Sequence, residues 1–190
     1  MKQKIAAALE KHMEACKKVQ KDSLPVIEKI AQALIDCYKK GGQVLFMGNG
    51  GSASDAQHLA TELVCRLKLE RRALPAMALN TNTSIITAQG NDYGYDTVFS
   101  RQVEAFTSAK DVVVGLSTSG NSENVVRALD VANKAGAVTI GFTGGNGGKI
   151  AKIAKLNFIA PSDVTMHIQE MHISVGHILC DLVEEEMAKK

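Results

Sequence analysis

The chain has 190 residues, an apolar fraction of 45% and a charged fraction of 22%, which suits one soluble domain with a sizeable core. Aromatics make up only 4%, tryptophan is absent and the net charge of +2 comes from interspersed charges, so neither a stacking platform for single strands nor a nucleic-acid footprint is supplied. No apolar run reaches bilayer length, charges interrupt residues 1–18 in a way no signal peptide allows, and Cys16, Cys37, Cys65 and Cys180 lack Cys-x-x-Cys spacing, so a cytoplasmic protein without membrane contact is expected.

In chain order, residues 1–40 carry a helical period. Ile5, Leu9, Cys16 and Val19 mark one stripe. Ile27, Ile30, Leu34 and Tyr38 mark a second, after the break at Asp22-Ser23-Leu24-Pro25. Gly41-Gly42 closes this helical pair, whose stripes are available to another subunit. Strands are expected at 44–47, 76–79, 112–116, 138–142 and 157–159. Helices are expected at about 52–70, 83–90, 95–107, 121–135, 147–154 and 166–188. Short apolar strands alternating with helices specify an α/β fold, a single domain over 1–190 with a parallel sheet covered on both faces. The densest basic stretch, Arg66-Leu67-Lys68-Leu69-Glu70-Arg71-Arg72, reads as a solvated helix end.

Residues 44–63, VLFMGNGGSASDAQHLATEL, run from a strand through Gly48-Asn49-Gly50-Gly51 into a helix start. Such a turn presents unpaired N–H groups and the positive end of a helix dipole to an anion. It is neither a Walker loop nor a G-x-G-x-x-G fingerprint, and no lysine follows for nucleotide phosphates. One turn on, His58 and Glu62 stand at i and i+4 and share a helix face. The pattern repeats at VVVGLSTSGNSENVVR, where Ser117, Thr118, Ser119 and Ser122 crowd the turn. Four hydroxyls within six residues exceed what capping by Ser119 or Asn121 requires, and hydroxyls with helix N-terminal amides can hold a phosphate without Arg or Lys. A third turn, Thr143-Gly144-Gly145-Asn146, follows the fourth strand. All three lie at strand carboxyl ends, where open α/β sheets bind ligands. In the last helix Gln169 and His177 are eight apart and close to one face; Glu170 and His172 fall off it, toward solvent or a partner.

The strings GNGGSASDAQHLATEL, NDYGYDTVFSRQVEAF, LSTSGNSENV and IQEMHISVGHILCDLVE closely resemble the bacterial phosphoheptose isomerases, which are sugar-isomerase (SIS) domain proteins. The likeness extends from the N-terminal helices to the last helix. It implies a three-layer SIS-type fold, with a central five-stranded parallel sheet, and a homotetramer with active sites at subunit interfaces. It also implies interconversion of D-sedoheptulose 7-phosphate and D-glycero-D-manno-heptose 7-phosphate, the first step of nucleotide-activated heptose synthesis for lipopolysaccharide or other surface glycans. By the same resemblance the phosphate site maps onto Ser117, Thr118, Ser119 and Ser122. The sugar contacts map onto Asn49, Gly50, Gly51, Glu62, Asn91, Asp92 and Gln169, and the acid/base pair onto Glu62 and His177. Zinc-binding members use the positions of His58, Glu62, Gln169 and His177. No nucleotide or redox cofactor is needed.

Ketose–aldose isomerisation moves one proton between carbons and one between oxygens through an enediol, work that a carboxylate and an imidazole suit. Two rival readings stand beside this one. A non-catalytic SIS relative binds the bacterial replication initiator DnaA and shares the Gln-Glu-Met-His segment, but lacks the acid/base pair kept here as Glu62 and His177. Another ketose phosphate is an alternative substrate, since the pocket needs only a phosphate and an open-chain polyol.

Overall fold

The computed structural model describes residues 1–189. Helices α1 (Lys2–Asp22) and α2 (Leu24–Lys39) precede β1 (Val44–Gly48), α3 (Gly51–Val64), β2 (Ala76–Ala78) and α4 (Thr83–Tyr93). A single 3-10 turn (Tyr95–Thr97) leads to α5 (Ser100–Phe106), β3 (Val112–Leu116) and α6 (Glu123–Lys134). The remainder is β4 (Val138–Gly144), α7 (Ile150–Ile153), β5 (Leu156–Ala160) and α8 (Thr165–Met187). All five strands run parallel in the order β2-β1-β3-β4-β5. The order reverses between β1 and β3, so the loops leaving these two strands diverge to opposite faces and open a crevice between them.

Alternation along β1 shows how the three layers arise. Val44 and Phe46 pack into a core with Ile30 of α2, Leu59 of α3 and Val175 of α8. Leu45 and Met47 point the other way, toward Val103 of α5 and Leu129 of α6. A strand buried on both faces has no polar side to show, which is why β1 and β3 read as unbroken apolar runs. The second N-terminal stripe, Ile27, Ile30, Leu34 and Tyr38, is fully buried. Of the first, only Val19 is buried, whereas Ile5 and Leu9 remain 55% and 60% exposed.

Three expectations are corrected. Helix α3 stops at Val64, and the basic stretch 66–72 is a loop with the Arg71 side chain buried, not a solvated helix end. The segment expected as one helix over 95–107 is a 3-10 turn followed by a separate α5, with Gln102 of α5 donating to the Leu79 and Val98 carbonyls. His172 faces neither solvent nor partner: it is completely buried against Phe142 and Phe158, and donates to the Thr143 carbonyl.

Candidate active site

The loop after β1 needs its two consecutive glycines for different reasons. Gly50 caps α3 at φ +56°, in the left-handed region that glycine enters without strain. Gly51 has the amide of Gln169 where a Cβ would stand, so a side chain there would displace it. The contact brings α8 alongside the first turn of α3, and His58 follows on the same face two turns later.

His58, Glu62 and His177 converge across the α3–α8 groove, with one ligand atom from each lying within 4.8 Å of the other two. His58 Nε2 lies 2.8 Å from His177 Nε2 and 3.1 Å from Glu62 Oε1. The ring planes are nearly perpendicular, at 83°. A carboxylate only accepts, so an Nε2–H on His58 donates to Glu62 Oε1, to the His177 Nε2 lone pair or to both, and His177 takes a proton at Nε2 only when that hydrogen bond is given up. Asp55, one turn before His58, has a buried Oδ2 without a partner. Burial raises its pKa, against the lowering pull of His58 and His177.

On the other side of the switch point, three hydroxyls surround one spot. Ser117 Oγ lies 2.8 Å from Ser122 Oγ and 3.5 Å from Ser119 Oγ. Ser122, rather than Ser119 or Asn121, is the N-cap of α6, and its side chain makes no capping bond. That hydroxyl is engaged with Ser117 Oγ and not with the helix, so it stands beside the α6 N-terminus where a ligand can exchange for the Ser117 contact. The third turn braces this one: Gly120 accepts from Ile150 N–H at 3.0 Å, and Asn121 Oδ1 accepts from Lys149 N–H at 3.1 Å. Gly120, at φ +66°, lies so close to the Gly147 carbonyl that any Cβ would collide with backbone.

The SIS domain family profile matches residues 9–144. Phosphoheptose isomerase of Citrifermentans bemidjiense is 55% identical over 98% of this chain and 97% of its own length. The chain belongs to the SIS domain family. Among solved structures, the phosphoheptose isomerase of Neisseria gonorrhoeae is 40% identical with a TM-score of 0.91, covering 97% of this chain and 98% of that one. That of Francisella tularensis is 35% identical with a TM-score of 0.93, covering 96% and 97%. The five-stranded parallel sheet with flanking helices is thus the SIS fold that the motifs imply.

Asn91 and Asp92 are exposed at the end of α4, with Asn91 Nδ2 donating to Asp92 Oδ1 at 2.8 Å. Tyr95 just beyond them donates its hydroxyl to Asn49 Oδ1 at 3.2 Å, which ties this segment to the first loop. Thr118 is partly buried in the hydroxyl turn. Glu170 is not idle at the surface, since it accepts from His12 Nδ1 at 2.8 Å and His167 Nδ1 at 3.0 Å.

Sequence reasoning missed Asn124. Its buried side chain and that of Asn49 exchange two hydrogen bonds, each 3.0 Å, linking the first loop to the helix of the hydroxyl turn. The partners are 75 residues apart, and an asparagine inside the first turn of a helix looks like ordinary N-terminal polarity.

Proposed function

We propose that this chain is an aldose–ketose isomerase that interconverts D-sedoheptulose 7-phosphate and D-glycero-D-manno-heptose 7-phosphate. The observation that carries the reading is the convergence of Glu62, His58 and His177 in a fold that also presents a hydroxyl-lined helix start across the switch point. It occurs in a chain 55% identical, over nearly its whole length, to a phosphoheptose isomerase. In this reading Ser117, Thr118, Ser119 and Ser122 with the α6 amides hold the phosphate. Asn49, Gly50, Gly51, Asn91, Asp92 and Gln169 contact the open-chain sugar. The Glu62 carboxylate takes the proton from carbon 1 and returns it to carbon 2. His177 moves the second proton between the two oxygens, so that atoms and charges balance through a neutral enediol. Anchoring the remote phosphate supplies orientation at the reacting carbons.

Zinc fits the donor set. Bonds of about 2.0–2.1 Å in a tetrahedral site set ligand atoms roughly 3.3 Å apart, near the 2.8 and 3.1 Å separations around His58 Nε2. The unpartnered Asp55 carboxylate is of the kind that orients metal-bound imidazoles. Of the four expected ligands, His58, Glu62 and His177 converge and would hold the ion, which would supply Lewis-acid polarisation of the substrate oxygens, whereas the Gln169 amide packs against Gly51, two turns before His58 on α3. Metal on Glu62 and His177 competes with their proton-transfer roles.

The exposed Ile5, Leu9 and Met13 on α1 support assembly with further copies, as a homotetramer with active sites at subunit interfaces. The described residues contain no helix long and apolar enough to cross a membrane, in keeping with one cytoplasmic SIS domain over 1–190. The deciding experiment incubates purified protein with sedoheptulose 7-phosphate and follows the aldose by NMR. Absence of turnover, with DnaA bound instead, would favour the regulator.

A further inference from the structure

Helix α3 carries Glu62 two residues before its end, where the last carbonyls lack intrahelical partners. Here the missing partner is a side chain: Arg71 Nη2 donates to the Glu62 carbonyl at 2.7 Å, and Nη1 reaches the Arg72 carbonyl at 3.0 Å. The guanidinium is in turn charge-paired with Glu184 on α8, whose Oε1 lies 3.3 Å from Arg71 Nε without forming a hydrogen bond to it; the side chains are 1% and 0% exposed. The Glu184 carboxylate also accepts the consecutive N–H groups of Leu67, Lys68 and Leu69, at 2.9, 2.6 and 2.8 Å. Burial pushes the Glu184 pKa up, but these backbone donors and Arg71 outweigh it and hold the carboxyl below its usual value. Glu184 is seven residues beyond His177, two turns along the same face of α8. Between them the buried Cys180 thiol is pushed up to about 12, first by burial and next by the Glu62 charge.

A buried ion pair is a poor device for stability, because apolar residues of similar volume often serve as well or better. What an apolar pair cannot do is donate to the end of α3. Resting on the isomerase reading, we propose that Arg71 and Glu184 are positioning residues that fasten the Glu62 turn of α3 to the helix bearing His177 and so set the acid/base geometry. Neither touches the substrate. The phosphate turn lies on other elements, and the first loop meets α3 at Gly51, three turns from the Glu62 end, so the pair acts on turnover more than on binding.

The test compares Glu184→Gln with the double variant Arg71→Met/Glu184→Gln. The single variant strands a buried guanidinium and loses melting temperature. The double variant removes that charge and recovers part of the loss, since an amide NH2 cannot accept from all of the Leu67, Lys68 and Leu69 N–H groups, and it lacks the bond to the Glu62 carbonyl. In both, kcat on sedoheptulose 7-phosphate falls about 10- to 100-fold, the range a displacement of about 1 Å produces, with KM unchanged. Wild-type kcat in the double variant, or a KM rising in step with the loss, overturns the proposal. An inactive wild-type protein would instead sink the isomerase reading. A crystal structure of the double variant then decides the positioning role alone, and Glu62 still within hydrogen-bond reach of His58 would overturn it.

Discussion

Replacing His172 by Gln should abolish one component of acid destabilisation that the wild-type chain carries. His172 Nε2 lies 2.9 Å from the Thr143 carbonyl, which only accepts, so the proton of the neutral ring sits on Nε2. The other nitrogen, Nδ1, is buried with no partner, and protonating it would strand a charged N–H in the core. Burial accordingly lowers the His172 pKa from 6.5 to about 4, against a smaller raising effect of the Thr143 bond. The unfolded chain binds this proton below pH 6.5 and the folded chain only below about 4. Stability is therefore complete above pH 6.5, falls as the pH drops through that window, and levels off below it. At about 1.36 kcal/mol per pKa unit the loss is about 3 kcal/mol. Gln keeps an N–H for Thr143 and does not titrate, so its packing cost is constant with pH. Urea unfolding of both proteins at fixed concentration, from pH 7.5 to 4, gives the difference directly. Wild type should lose about 3 kcal/mol relative to His172→Gln across the window; parallel curves would refute the assignment of a neutral buried imidazole.

Three further outcomes are expected. Ser119→Ala/Ser122→Ala should raise KM by at least about tenfold, since each lost hydrogen bond to a phosphate costs about 1.5–3 kcal/mol; wild-type affinity would move the phosphate site elsewhere. Gently purified protein should carry near-stoichiometric zinc by elemental analysis, and His58→Ala should lose it; metal-free protein whose activity ignores added zinc would remove the ion but keep the acid/base pair. Glu62→Gln and His177→Asn should each cut turnover by about 10²–10⁴ while retaining affinity. Because Glu62 and His177 of one chain converge, co-refolding the two inactive variants should leave the mixture without wild-type sites, and restored activity would place the two residues on different chains; a monomer at micromolar concentration would refute the assembly.

Legibility from sequence followed locality. The unit β1–loop–α3 was readable because strand, glycine turn and helix start are consecutive, and His58 and Glu62 share a face at four-residue spacing. The hydroxyl turn was readable for the same reason. Roles for Gln169 and His177 came only through the family resemblance, since their partners on α3 lie more than a hundred residues upstream. The end of α3 was misjudged because Leu67 and Leu69 continue an apolar pattern. The backbone turns there to give its N–H groups to Glu184, well over a hundred positions away. His172 was misplaced because one-face reasoning fails for α8, which packs against α1, α2, α3 and the sheet together and so buries more than one side.

The loops at the switch point give the crevice a fixed length. On the isomerase reading, the end that would hold the phosphate is a turn braced by the close approach of Gly120 to Gly147, and the end that would carry the reaction is borne on α3 and α8. With both ends held by the framework of the fold, the span between them works as a ruler for the carbon chain. A shorter phosphosugar gripped by the same hydroxyls would bring its carbonyl up short of Glu62, so selection among ketose phosphates can rest on reach without recognition of every hydroxyl along the way.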